Sequence, residues 1–93
     1  MSSFTTRIEL HDADWSDYDR LHTEATKRGF SNVIVAEGGK RYRLPTAEYN
    51  FVGTGTRAQI LDLAKSAASA TGKKFAVIVT ESAGRTWEGL AAA

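Results

Sequence analysis

The chain has 93 residues, a formal net charge of +1 at neutral pH and no cysteine. That length makes one domain with a thin core, burying about 60 to 65% of its unfolded surface, so a second subunit has something to add and a homodimer is expected. The missing thiols exclude a disulfide framework, a cysteine zinc site, an iron-sulfur centre and a thiol nucleophile, while the near-neutral charge excludes any global attraction to nucleic acid or anionic lipid.

The opening MSSFTTRIEL has neither the basic start nor the long apolar stretch of a signal peptide, and the longest apolar runs, Val33 to Ala36 and Phe75 to Val79, are far too short to span a bilayer. A cytoplasmic protein with no membrane contact is expected. Phe4, Thr6, Ile8 and Leu10 alternate with Thr5, Arg7 and Glu9, which predicts a first strand over Phe4 to Leu10 with one face in the core and one in water. His11, Asp12 and Ala13 break the alternation, and Asp14 is placed to accept a first-turn amide and cap a helix. The helix starts near Trp15, repeats apolar side chains at Trp15, Tyr18, Leu21 and Ala25, carries Asp17 early and Lys27 and Arg28 late, and stops at Gly29. Asn32 to Ala36 is a β-branched run, and Glu37, Gly38 and Gly39 supply a hairpin turn.

The returning arm runs from Lys40 to Leu44, meets Pro45, which has no amide to donate, and resumes over Ala47 to Val52. A break in pairing belongs at Pro45, with the long strand after it. Thr56 with Gln59 three residues on is a capping box, and Ile60, Leu63, Ala64, Ala67, Ala68 and Thr71 form the stripe of a second helix ending at Gly72. Phe75 to Thr80 is the last strand. Glu81 to Ala93 reads as a tail whose Trp87 and Leu90 need a surface to pack on.

The order β, α, β, β, α, β predicts a single α+β domain over residues 1–93. The expected architecture is a ferredoxin-like βαββαβ sandwich, a four-stranded antiparallel sheet with two helices on one face and the first and third strands central. Its open face would carry Thr5, Arg7, Glu9, Glu48 and Asn50.

His11, Asp12, Asp14, Asp17 and Asp19 gather carboxylates and an imidazole at a strand end, a set that can share general acid and base roles or hold a divalent cation. Aspartate is also a preferred helix cap, and that use is the stronger reading, so neither a metal site nor a cofactor is expected. The basic residues are Lys27 and Arg28 at the end of the first helix, Lys40, Arg41 and Arg43 in the hairpin, and Arg7 on the first strand. Arginine grips phosphate in a bidentate manner and offsets the charge of a pentacoordinate phosphorus, although such residues also serve as a solvated edge against unwanted strand pairing. Tyr49 and Phe51 alternate as core aromatics do, and His22 reads as a surface or boundary residue of the first helix. No nucleophile elbow, phosphate loop or dinucleotide fingerprint occurs.

Together RIELHDADWSDYDRLH, RLPTAEYNFVG and VTESAGRTWEGL resemble the GhoS family, the endoribonuclease antitoxins of type V toxin-antitoxin systems, over nearly the whole chain. The resemblance implies a ferredoxin-like fold similar to that of small CRISPR-associated nucleases, and a protein that binds or cuts single-stranded RNA. It points to an acidic residue at the end of the first strand, a position met by Asp12 without the tyrosine-aspartate context of those nucleases, and to a basic residue near the end of the first helix, Arg28. On this reading His11, Asp12 and Arg28 form the catalytic set, and Arg7, Lys27, Lys40, Arg41 and Arg43 contact RNA. The competing reading is a non-catalytic homodimeric module whose edge strand or Trp87 tail docks on a protein partner, and a small-molecule sensor on the same fold also stays open.

Overall fold

In a computed structural model, which describes residues 2–93, the first strand keeps its alternation. β1 (Ser2–Leu10) buries Phe4, Thr6, Ile8 and Leu10 and leaves Arg7 and Glu9 exposed. The chain continues as α1 (Trp15–Lys27), β2 (Val33–Val35), β3 (Arg41–Arg43), β4 (Glu48–Gly53), α2 (Arg57–Ser69) and β5 (Phe75–Ser82). Both helices open on reciprocal caps. The Asp17 amide donates to Asp14 Oδ1 at 3.2 Å while the Asp14 amide donates to Asp17 Oδ2 at 3.1 Å, and Thr56 and Gln59 exchange the same pair of bonds in front of α2. Gly29, at a φ of 92° that a side chain resists, ends α1.

β1 lies between β4 and β5 and runs antiparallel to both. The face that carries Phe4, Ile8 and Leu10 packs in one cluster with Leu21 and Ala25 of α1 and with Ile60, Ala64, Ala67 and Ala68 of α2. The two helices therefore share one side of the sheet, and the alanine stripe lets α2 lie close to it. Thr6 sits in the same layer, fully buried, with a hydroxyl that has no hydrogen-bond partner among the described residues. Thr6→Val keeps the shape and removes the unpaired group, so it should raise stability by about 1 kcal/mol, read as a higher urea midpoint at unchanged slope.

The expected four-stranded sheet is not what forms. The main sheet has three strands in the order β4-β1-β5, and β2 and β3 make a separate two-stranded sheet. Among the described residues this segment pairs with β4 only at Ser31, through a single bridge in which Ser31 and Asn50 exchange N–H···O bonds of 2.9 and 2.7 Å. Beyond that bridge the hairpin leaves the sheet. The Leu44 amide donates back to the Asn32 carbonyl at 2.7 Å, Pro45 offers no donor, and Ala47, at a φ of 65°, turns the chain into β4. The break expected at Pro45 is real, as is the longer strand after it, and together they detach the hairpin.

The C-terminal segment packs on its own chain. The Arg43 amide donates to the Ala91 carbonyl at 2.8 Å and the Ala93 amide to the Arg41 carbonyl at 3.1 Å, so the tail extends the small sheet beyond β3. Trp87 tilts against Tyr42 with ring centroids 5.3 Å apart. Arg85 crosses the open face of the main sheet, donating from Nη2 to Thr5 Oγ1 at 2.7 Å and to Asn50 Oδ1 at 3.0 Å. Among the described residues no helix is long and apolar enough to cross a membrane.

Candidate nucleic-acid interface

The turn at Pro45 to Ala47 brings the β3–β4 connection alongside the first turns of α1, and a groove remains between them. Two depressions make it up, and they share Trp15, Tyr18 and Thr46 as walls. One, of about 150 Å³, is completed by Asp19, His22, Arg43 and Tyr49, and the other, of about 320 Å³, by Ala13 and Asp14. Trp15 stands between the two with 74% of its surface exposed, so its ring is not the core residue that the helical stripe predicted. A large exposed indole over a groove is a stacking platform for a flat ring.

The walls are fixed from behind. Tyr18 Oη accepts the Leu10 amide at 3.1 Å and donates to the Leu10 carbonyl at 3.4 Å, which commits its proton. Tyr49 is buried, and burial pushes its phenol up to about 12. The imidazole of His22 stacks on that phenol ring, centroids 6.0 Å apart and planes 29° from parallel. Arg43 lines the depression from β3. Arg41 is exposed two residues away and so projects from the same face, while Lys40 holds its ammonium 5.4 Å from the centre of the Tyr42 ring.

The remaining residues named from sequence fall elsewhere. Arg7 lies on the open sheet face, paired in register with Glu48 and Ile78 and followed on that face by Glu9, which gives it acidic neighbours. Lys27 pairs with Glu24 at 3.2 Å. Arg28 ties the two helices together, donating from Nη1 to the Glu24 carbonyl at 2.8 Å and to Glu24 Oε1 at 3.0 Å, and from Nε to Ser66 Oγ at 3.2 Å. The Arg28 guanidinium, and after it the Lys27 ammonium, hold the Glu24 carboxyl below the usual carboxylate range.

His11 turns toward Glu9, with 3.5 Å between Nε2 and Oε1, and Asp12, at a φ of 52°, gives its carbonyl to Lys73 Nζ at 3.0 Å. These two sit before the first turn of α1 and Arg28 follows the last, so the 13 residues of the helix hold them about 20 Å apart. The structure does not bring His11, Asp12 and Arg28 into one constellation. Asp14 and Asp17 are spent on the cap, and the Ser16 hydroxyl with the Asp17 amide holds the Asp14 carboxyl below its ordinary value. Among the described residues no group of three or more His, Cys, Asp or Glu side chains is arranged to hold a metal ion.

The groove residues that sequence reasoning passed over are Trp15, Asp19 and His22. Their spacing of four and three residues puts them on one stripe of α1, a signal divided in the sequence between an apolar face for Trp15, an acidic cluster for Asp19 and a surface or boundary position for His22. Fold and groove together define a small α+β domain that carries an indole, an imidazole and a guanidinium along one channel. The chain belongs to the GhoS endoribonuclease family, whose sequence profile, described as Endoribonuclease GhoS, matches residues 1–89. No individual curated protein matches it.

Proposed function

We propose that this protein is a cytoplasmic endoribonuclease of the antitoxin kind, which binds single-stranded RNA along the groove beside α1 and cleaves it there. The family match over residues 1–89 carries this reading. The groove supplies groups that suit it: Arg43, continued by Arg41, for phosphate, and Trp15 for a base, where one stacking contact contributes about 1 to 3 kcal/mol. Single-stranded RNA fits better than duplex because a ring can reach the indole only when its base is unstacked from its neighbours. The open sheet face is a poorer platform, since Arg85 lies across it and Glu9 and Glu48 offset the charge of Arg7 there.

Incubation of the pure protein with a labelled single-stranded RNA should yield discrete fragments, and RNA that stays intact would defeat the enzyme reading. Arg43→Ala should weaken RNA binding about tenfold and reduce the dependence of log affinity on log salt by about one unit, because one phosphate contact disappears. An unchanged salt slope would place the RNA elsewhere on the molecule.

A further inference from the structure

The side chains that line the groove differ in what they can do with a proton. Tyr49 keeps its own near neutrality, since burial pushes its phenol up to about 12. The Tyr18 hydroxyl is committed to both backbone groups of Leu10. Arg43 stays a cation and cannot accept. Asp19 lines the depression with a carboxylate, a side-chain type less suited than imidazole to taking up a proton. Imidazole is the side-chain type best matched to proton transfer near neutrality, and His22 is the imidazole of this groove, set on the same small depression as Arg43 and steadied by its stack on Tyr49. The other histidine, His11, is turned to Glu9 and does not line either depression.

We infer that His22 is a catalytic residue of the groove, the general base that takes the proton from a ribose 2′-hydroxyl while Arg43 holds the neighbouring phosphate. The assignment rests on the endoribonuclease reading above. As a ring nitrogen of neutral His22 accepts that proton, the 2′-oxygen forms a bond to the adjacent phosphorus and the bond from phosphorus to the 5′-oxygen breaks. The departing 5′-oxygen takes a proton from water, and the imidazolium returns its proton to the solvent. The products are a 2′,3′-cyclic phosphate and a 5′-hydroxyl, and no outside nucleophile or electron carrier is consumed. Arg43 offsets the charge that gathers on the non-bridging oxygens, and Trp15, stacked on a base, limits the motion of the attached sugar.

Single-turnover cleavage of an end-labelled single-stranded RNA oligonucleotide by the full chain tests the assignment. His22→Gln should lower the rate at saturating RNA by about a hundredfold or more while RNA affinity stays within about threefold of the wild type and the melting temperature is kept. Added imidazole should restore part of the rate to His22→Ala, which a merely structural role would not allow. Wild-type fragments should carry 5′-hydroxyl and cyclic phosphate ends, and a deoxyribose at the cleaved position should block that cut. Wild-type rates in His22→Gln, an equal loss in His11→Ala, fragments with 5′-phosphates, or cleavage next to a deoxyribose would each overturn the assignment alone. RNA left intact by the wild-type protein would overturn it together with the reading on which it rests.

Discussion

Phe4→Ala is expected to destabilise the protein by about 3 to 5 kcal/mol, the range for truncating a fully buried phenylalanine. Phe4 is 0% exposed and lies on the central strand, fixed in register against Phe51 on one side and Glu81 on the other. The loss has two parts, the transfer of the ring to water and the void left behind. The second part should be large here. The strand cannot move inward because β4 and β5 hold it from both sides, and much of the facing layer is Ala64, Ala67 and Ala68, which have no longer side chain to swing into a gap. A domain of this size has a total stability of about 5 to 15 kcal/mol, so the change takes a large share of it. The melting temperature should fall by about 12 °C or more, with a lower urea midpoint at an unchanged slope. A fall smaller than about 4 °C would mean that the sheet and helices close over the hole after all.

What the sequence disclosed follows the range of the interactions involved. The alternation of β1, the Thr56 and Gln59 box and the stop at Gly29 depend on residues close together in the chain, and all three stand. That the hairpin leaves the main sheet at Pro45 and Ala47 goes with contacts far along the chain, the Ala91 carbonyl and the Ala93 amide at the outer side of β3. No local pattern announces those contacts, so a fourth strand was expected where a separate hairpin forms. The site divides in the same way. That Arg28 would bind Glu24 four residues earlier was open to a helical reading, and that contact holds the guanidinium the resemblance gave to catalysis. That His22 and Arg43 line one depression was not readable, because it depends on Pro45 and the left-handed turn at Ala47 folding one segment onto the other.

The same dependence on distant contacts makes the tail the second place where a large effect is expected. Removal of residues 83–93 takes away the Arg85 bonds to Thr5 and Asn50, the packing of Trp87 on Tyr42 and the two backbone bonds that hold β3. A partly buried hydrogen bond from a charged donor contributes about 1.5 to 3 kcal/mol, and partial burial of a large aromatic adds about 1 to 2 more, so truncation should lower stability by about 3 to 4 kcal/mol. The loss should be uneven. β1, β4 and β5 keep their ladders, whereas the hairpin retains only the Ser31 bridge to β4 and the contacts around Leu44. Amide exchange should therefore quicken first at Arg43, whose amide loses the Ala91 carbonyl, and then at Ile34 and Tyr42, the hydrogen-bonded pair of the β2–β3 ladder. Arg43 is the residue proposed to hold phosphate in the groove, and its own amide is held by Ala91, so RNA binding should weaken although the tail does not line the groove. Arg85→Ala separates the two effects: it should remove about 2 kcal/mol of stability while Ala91 still holds β3, and so leave RNA affinity near that of the wild type. Equal losses of RNA binding in Arg85→Ala and in the truncated chain would show that the open sheet face, rather than the groove beside α1, receives the RNA.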